Sequence, residues 1–434
     1  MKILNIAIAL TTMIGISVFA NTEGQSLTLA ESLNIANSTS PQVKIAEAAK
    51  DEASWKKTEA YSLFLPRVTL GGSHLFDEKF MLQRVTLGGP PTTIEMIQPY
   101  TIWSARAEWM FFDGLANWDR FRSMSHGADA ADKEADWARF QLNQDTKLKF
   151  YKALAAVELE KVSFQNVRTL EDHLSRARAF QKSGTGTKFD VLRVEVQLGE
   201  ALSETLNAQD NTVLSRQNLL VGLGVEDTGQ SLQGDLPVPD AQRVANLQKP
   251  QKIERLDYQA IQDRELAAHK AWLAAYKHWI PKFSLFGQAD YYNNISKGLR
   301  DQDFNNAYSW GVNMTWSIFD GFASSSQSAQ ADARQVQAQQ RTLQAKLKTG
   351  FDFDFWKRRY LYSAALYKAK TIDVEKAKES VRLATQSFKA GTRTSSERLD
   401  AELDLFRARA GLVNAQVNAA EAQVNLELSV GKEL

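Results

Sequence analysis

The residues that could do chemistry are few, and their spacing does not suit catalysis. The five histidines, His74, His126, His173, His269 and His278, are scattered without metal-ligand spacing. There is no cysteine, which removes thiolate metal sites, disulfides and lipidation at Cys. Gly184-Thr185-Gly186-Thr187 is glycine-rich, but it lies between two helical stretches rather than after a strand, so it is a turn and not a phosphate cradle. What remains is charge. Glu397 and Asp400 are three residues apart and share one helix face. By spacing alone they are solvated charges at a helix end.

The elements that carry these residues occur twice. Trp109-Met110-Phe111-Phe112-Asp113-Gly114-Leu115-Ala116 returns as Trp316-Ser317-Ile318-Phe319-Asp320-Gly321-Phe322-Ala323, at an offset of 207. Lys182-Ser183-Gly184-Thr185 returns at the same offset as Lys389-Ala390-Gly391-Thr392, and Gly224 as Gly431. One fixed spacing over so long a stretch marks a duplicated unit. It also means that no insertion separates the landmarks, as befits packed helices rather than loops.

From Gly114 to Lys182 there is no proline, and the same holds from Gly321 to Lys389. Each stretch is long enough for a continuous helix of roughly 100 Å. Val374, Ala377, Val381, Ala384 and Phe388 step by three and four, and Val167, Leu170, Leu174, Ala177 and Gln181 keep the same register one repeat earlier. Leu399, Leu403, Phe406, Ala410, Val413, Val417, Ala420 and Val424 continue the pattern after the second turn. These are coiled-coil seams. Gly184-Thr185 and Gly391-Thr392 then turn each long helix, 114–182 and 321–389, into a returning helix, 188–222 and 395–430.

Upstream, 28–62 is helical with a break near Ser38–Pro41, and its counterpart is 252–280. Pro66 and Pro281 end these helices. Alternating residues follow: weakly in 66–76, and clearly in 101–111, 282–291 and 308–318. Period two with one polar face predicts strands. Their length, and Trp and Tyr near their ends, suit a membrane barrel wall; a soluble half-buried sheet is the alternative. The intervening loops, roughly 77–99 and 293–306, are polar. Four strands do not close a barrel, which takes about eight. Several copies must therefore share one, and two or three both satisfy the count.

The predicted organisation is a signal peptide over 1–20, a first repeat over 21–224 with its strand pair at about 66–112, an irregular connector over 225–250, and a second repeat over 251–434 with its strand pair at about 281–319. The signal peptide rests on Lys2, the apolar run Ile3–Ile14 and Val18-Phe19-Ala20; an N-terminal anchor is the alternative. Lys and Arg total 52 against 51 Asp and Glu, so no basic field points to nucleic acid. No run is apolar enough for a membrane helix beyond the leader, so entry into a bilayer would have to be by strands.

These motifs resemble the TolC-like outer-membrane efflux proteins. The likeness is carried by the Leu65-Pro66 and Ile280-Pro281 junctions, the two Phe-Asp-Gly strand exits, and Lys389-Ala390-Gly391-Thr392-Arg393-Thr394 followed by Leu399-Asp400-Ala401. It covers essentially the whole chain after the leader. It implies a mainly α fold with a small β part: a homotrimer whose twelve-stranded barrel lies in outer-membrane lipid and continues into a periplasmic coiled-coil tunnel. It implies hairpin tips that dock on a periplasmic adaptor (a membrane fusion protein) and an inner-membrane transporter, with no cofactor. It also implies a gate at those tips. There Arg393 matches a bridging arginine, Asp190 its acidic partner, Glu397 and Asp400 two acidic rings, and Phe388 an aromatic of the same closure. Glu397 stands where the family usually has Asp, which bears on the ring's diameter and not its sign.

The resemblance implies an exit duct for a tripartite efflux pump or a type I secretion system, not an enzyme. The alternatives are a structural coiled-coil envelope protein, which would lack amphipathic strands, and a passive porin, which would hold all its strands in one chain.

Overall fold

The computed structural model describes residues 26–76, 82–86, 88–95, 99–227, 229–249, 252–294 and 303–434. The expected signal peptide, and parts of the two strand loops, lie outside the described residues. The chain forms two compact units, and each unit draws on both repeats.

One unit comprises residues up to Ser40, Asp145–Pro239 and Ser363–Glu421. Strand β1 (Ser26–Leu27) leads into α1 (Leu29–Thr39), whose start is fixed by a capping box between Thr28 and Glu31. Two helices of the first repeat meet here, the far part of α3 (Ala116–Lys182) and all of α4 (Lys188–Leu223). Their core is the predicted seam: Val167, Leu170 and Leu174 pack with Val191, Val194 and Ala201, joined by Leu399. Gly224, at φ +73°, caps α4, and Thr39 Oγ1 donates to the Leu223 carbonyl at 2.6 Å. The connector is not wholly irregular as expected. Ser231–Leu232, strand β6, pairs in parallel with β1 and so satisfies backbone groups that a bare loop would leave open.

The other unit comprises Pro41–Gln144, Asp240–Tyr362 and Ala422–Leu434. Helix α2 (Pro41–Tyr61) begins on Pro41, which loses nothing at a first helical position. The sheet is antiparallel in the order β2 (Arg67–His74), β5 (Pro99–Phe112), β7 (Lys282–Asn294), β8 (Asn305–Thr315). A short hairpin of β3 (Leu82–Val85) and β4 (Thr92–Glu95) stands where only a loop was expected. Ala241–Ala245 forms a one-turn helix, α5, on an Asp240 cap, and α6 (Leu256–Tyr276) precedes β7. The near parts of α3 and of α7 (Ala323–Lys389), and the end of α8 (Ser395–Val430), complete the unit. Val244, Phe353, Tyr360, Ala422, Leu426 and Val430 form a core there.

Register sorts the sheet into two faces. Across the strands, Leu70 aligns with Ala105, Ala289 and Tyr308, and Trp103 with Tyr291. The next apolar rows hold Trp310 against Gly287 and Val312 against Leu285. The opposite face holds Ser104, whose Oγ donates to Asp290 at 2.6 Å, and Arg106 beside Glu108 at 3.6 Å. The apolar face is bare: Leu70, Tyr308 and Trp310 are 83, 83 and 77% exposed.

Strand bounds differ from expectation by up to three residues, and at β8 both ends are displaced in the same direction. β8 spans Asn305–Thr315 rather than 308–318. Its neighbour β7 begins at Lys282, just after Pro281, and Lys282 pairs with Thr315, so beyond Thr315 there is nothing to pair with. Trp316 instead donates its indole N–H to the Trp279 carbonyl at 2.9 Å, as Trp109 does to Phe64.

The duplicated Phe-Asp-Gly exits are alike in detail. Gly114 and Leu115 both have positive φ (+69° and +65°), as do Gly321 and Phe322 (both +68°). The aspartate before each pair caps the long helix: Asp113 accepts from Asn117 N–H at 2.7 Å and Asp320 from Ser324 N–H at 3.0 Å. α3 and α7 are 67 residues each, and α4 and α8 are 36 each.

Candidate functional site: the helical hairpin turns

Both turns lie in the first unit described. At the first, α3 ends with Gly184 N–H on the Gln181 carbonyl at 3.1 Å and Thr185 N–H on the Phe180 carbonyl at 3.0 Å. At the second, Gly391 N–H reaches the Phe388 carbonyl and Thr392 N–H the Ser387 carbonyl, both at 3.0 Å. Gly184 (φ +77°) and Gly391 (φ +73°) occupy the left-handed region that side chains disfavour. Thr185 Oγ1 and Thr392 Oγ1 donate back to the same carbonyls as their N–H groups.

Asp190 and Glu397 are equivalent positions in the two repeats and do the same local work. Asp190 accepts from Thr187 N–H at 3.1 Å and Thr187 Oγ1 at 2.6 Å, while Thr187 caps the Asp190 N–H. Glu397 accepts from Thr394 N–H at 2.9 Å and Thr394 caps it in return. Both are capping boxes. The Thr187 hydroxyl, then its N–H, hold the Asp190 carboxyl below the usual carboxylate range.

Asp400 faces Arg193, its equivalent in the first repeat. Arg193 Nη2 donates to Asp400 Oδ1 at 2.9 Å, with both side chains partly exposed. Phe388 meets Phe180 edge-on at 6.4 Å, and the Arg398 guanidinium lies 6.0 Å above the Phe388 ring. Arg393 is exposed and, among the described residues, forms no ion pair within the chain. The expected site residues are thus gathered at two turns, but Asp190 and Arg393 are not joined inside one chain. Such a bridge would have to come from a neighbouring copy.

Two features escaped sequence reasoning. Arg193 could have been found by sliding the repeats over one another, because it falls on Asp400. The second is a buried cluster: His173 Nε2 meets Glu402, and Arg398 Nε donates to the other oxygen of Glu402 at 3.0 Å. His173 and Glu402 belong to different helices, and no local pattern links them. Among the described residues no group of three or more His, Asp or Glu could hold a metal ion, and no helix is long and apolar enough to cross a membrane.

Residues 252–432 match the model of the family described as outer membrane efflux protein. The chain is 23% identical over 423 residues to the outer membrane protein TolC of Vibrio cholerae, covering 93% of this chain and 90% of that protein. It is similar in structure to the CmeC outer membrane channel of Campylobacter jejuni, with a TM-score of 0.76 at 14% identity over 93% of this chain and 85% of that one. It is also similar to the outer membrane protein VceC of Vibrio cholerae, with a TM-score of 0.75 at 17% identity over 93 and 96%. The resemblance to the TolC-like outer-membrane efflux proteins is borne out, and the fold is theirs.

Proposed function

We propose that this chain, with the fold of the outer-membrane efflux channels, is the outer-membrane exit duct of a tripartite efflux pump or a type I secretion system. The observation that carries the proposal is the sheet: a continuous apolar face with exposed tryptophans and tyrosines, a polar face behind it, and two edge strands with one partner each. Such a sheet in lipid must have its edges paired. Three copies supply twelve strands, enough for a closed wall. The duct sits in the bacterial outer membrane with its helices in the periplasm, and receives substrate from an inner-membrane transporter through an adaptor that docks at Gly184-Thr185 and Gly391-Thr392.

The chemistry asked of the chain is passage, not bond-making. Within the trimer, Arg393 of one copy meets Asp190 of the next and opposes untwisting of the helix pairs. Glu397 and Asp400 set a negative field that favours cations. Reconstitution of the detergent-purified protein in a planar bilayer tests the proposal. Discrete single-channel steps support it, and a lipid-bound protein without conductance overturns it in favour of a structural coiled-coil protein.

A further inference from the structure

The unit that holds the sheet also holds a basic groove that neither the sheet nor helix pairing requires. Its helices lie side by side. Lys50 and Glu47 of α2 bind Asp132 and Arg139 of α3. Lys133 and Glu134 of α3 bind Asp263 and Arg264 of α6, at 2.5 and 2.6 Å. α6 runs into β7 and β8 runs into α7, and the two strands pair, which sets α7 beside α6. All four helices line one groove of about 900 Å³. Between its charges the walls are small and apolar, among them Ala53, Met124, Ala128, Ala131, Ala267 and Ala338. Two of its basic residues are engaged, Lys56 by Glu52 and Arg264 by Glu134. Arg334, Arg341 and Lys348 of α7 also line it and are exposed; among the described residues they have no hydrogen-bond or ion-pair partner. They are seven residues apart, so about 10 Å separates each from the next along one helix face. One repeat earlier the same positions hold Gly127, Glu134 and Gln141. The basic column therefore belongs to the second repeat alone, and packing common to both repeats does not explain it.

We propose that this groove binds amphiphilic organic anions, with acidic groups on Arg334, Arg341 and Lys348 and an apolar body against the alanines. Charges of one sign in a cleft with apolar walls focus their field and concentrate the opposite sign there. A guanidinium offers paired N–H donors that fit a carboxylate or sulfonate, and an ammonium adds a point charge. The volume suits a small molecule, and the alanine walls suit one with an apolar body. The sign is opposite to that at the helical turns, where Asp400 and Glu397 already have partners within the chain. That such anions are cargo rests on the proposed duct. A layer whose outermost helices, α2 and α7, line one groove is concave on that side, and three layers closed into a tube would turn it inward. Binding in the groove does not depend on that closure.

Fluorescence anisotropy of carboxyfluorescein, an organic anion with an apolar ring body, tests this with the full-length protein in lipid nanodiscs at low salt, read against empty discs. The wild type should bind the dye saturably, and more weakly as salt is raised. Arg334→Gln and Arg341→Gln should each weaken binding about threefold to tenfold, the range for a charge-assisted contact that water partly screens. Lys346→Gln removes the same charge from the same stretch of α7 but outside this groove, and should leave binding within about twofold. No saturable binding by the wild type overturns the proposal. So does a loss in Lys346→Gln equal to that in Arg341→Gln, which would mark a diffuse field and not a site. Arg334 and Arg341 support no contact within the chain, and if one variant does not assemble the other decides. Anisotropy reports binding whether or not the protein conducts, so failure of the duct and failure of the groove are told apart.

Discussion

Asp190 forms a local cap and, in the proposed duct, would also bridge to a neighbouring copy, and the two can be separated. Locally it closes the capping box with Thr187. Because the Thr187 donors lower its pKa, the cap is fully present above the ordinary carboxylate range and is lost as pH falls through the lowered value. Asp190→Asn should therefore flatten the mildest part of an acid melt followed by circular dichroism; an unchanged acid profile would contradict the cap. Thr394→Ala, at the equivalent turn, should cost about 1 kcal/mol of helix stability in thermal melting. Arg393 has no such local partner. If it bridges to Asp190 of a neighbouring copy, Arg393→Ala and Asp190→Asn both raise single-channel conductance, and unchanged conductance in both refutes the bridge. The TolC-like resemblance marked these residues, but their capping roles are in the Thr-x-x-Asp and Thr-x-x-Glu spacings themselves. The Arg193–Asp400 contact was legible only by superposing the repeats, since the two residues are 207 positions apart, whereas the His173–Glu402 contact has no such signal, because its facing depends on how helices pack.

The sheet and the long helices were read with unequal success, for physical reasons. Helix ends at Ala116, Lys182, Ala323 and Lys389 fall within two residues of expectation, since breakers are absent inside and glycine, threonine and Phe-Asp-Gly mark the ends. The end of β8 was misplaced because Trp316 and Ile318 keep alternating after the pairing partner has run out at Pro281. Side-chain period reports which face a residue would take, not whether a neighbour exists to bond. The β3–β4 hairpin and the two-residue β1 and β6 are too short for a period to register. The faces themselves yield a test. Val312 lies on the apolar face and is exposed, whereas its neighbour Asn313 lies on the polar one. Val312→Arg should cost about 2–4 kcal/mol if lipid covers that face, and strip the protein from outer-membrane extracts. Asn313→Arg should leave the yield intact. Equal loss in both would argue against lipid on the Val312 side.

At the scale of the whole molecule, the decisive fact is an insufficiency. Among the described residues, a single chain offers one four-stranded sheet with two open edges and an exposed apolar face, and helices built with coiled-coil seams. Neither a monomeric porin nor a free-standing soluble rod accounts for all three. In the proposed duct, three copies would close the edges, turn the apolar face to lipid and bring the turn charges together. The central claim is therefore that the working unit is a membrane-embedded trimer. The most direct test is the mass of the detergent-extracted particle, by native mass spectrometry or light scattering corrected for bound detergent. The account predicts three chains per particle, recovered from the membrane fraction and dissociating on heating. A monodisperse single chain that stays in the aqueous phase would contradict it.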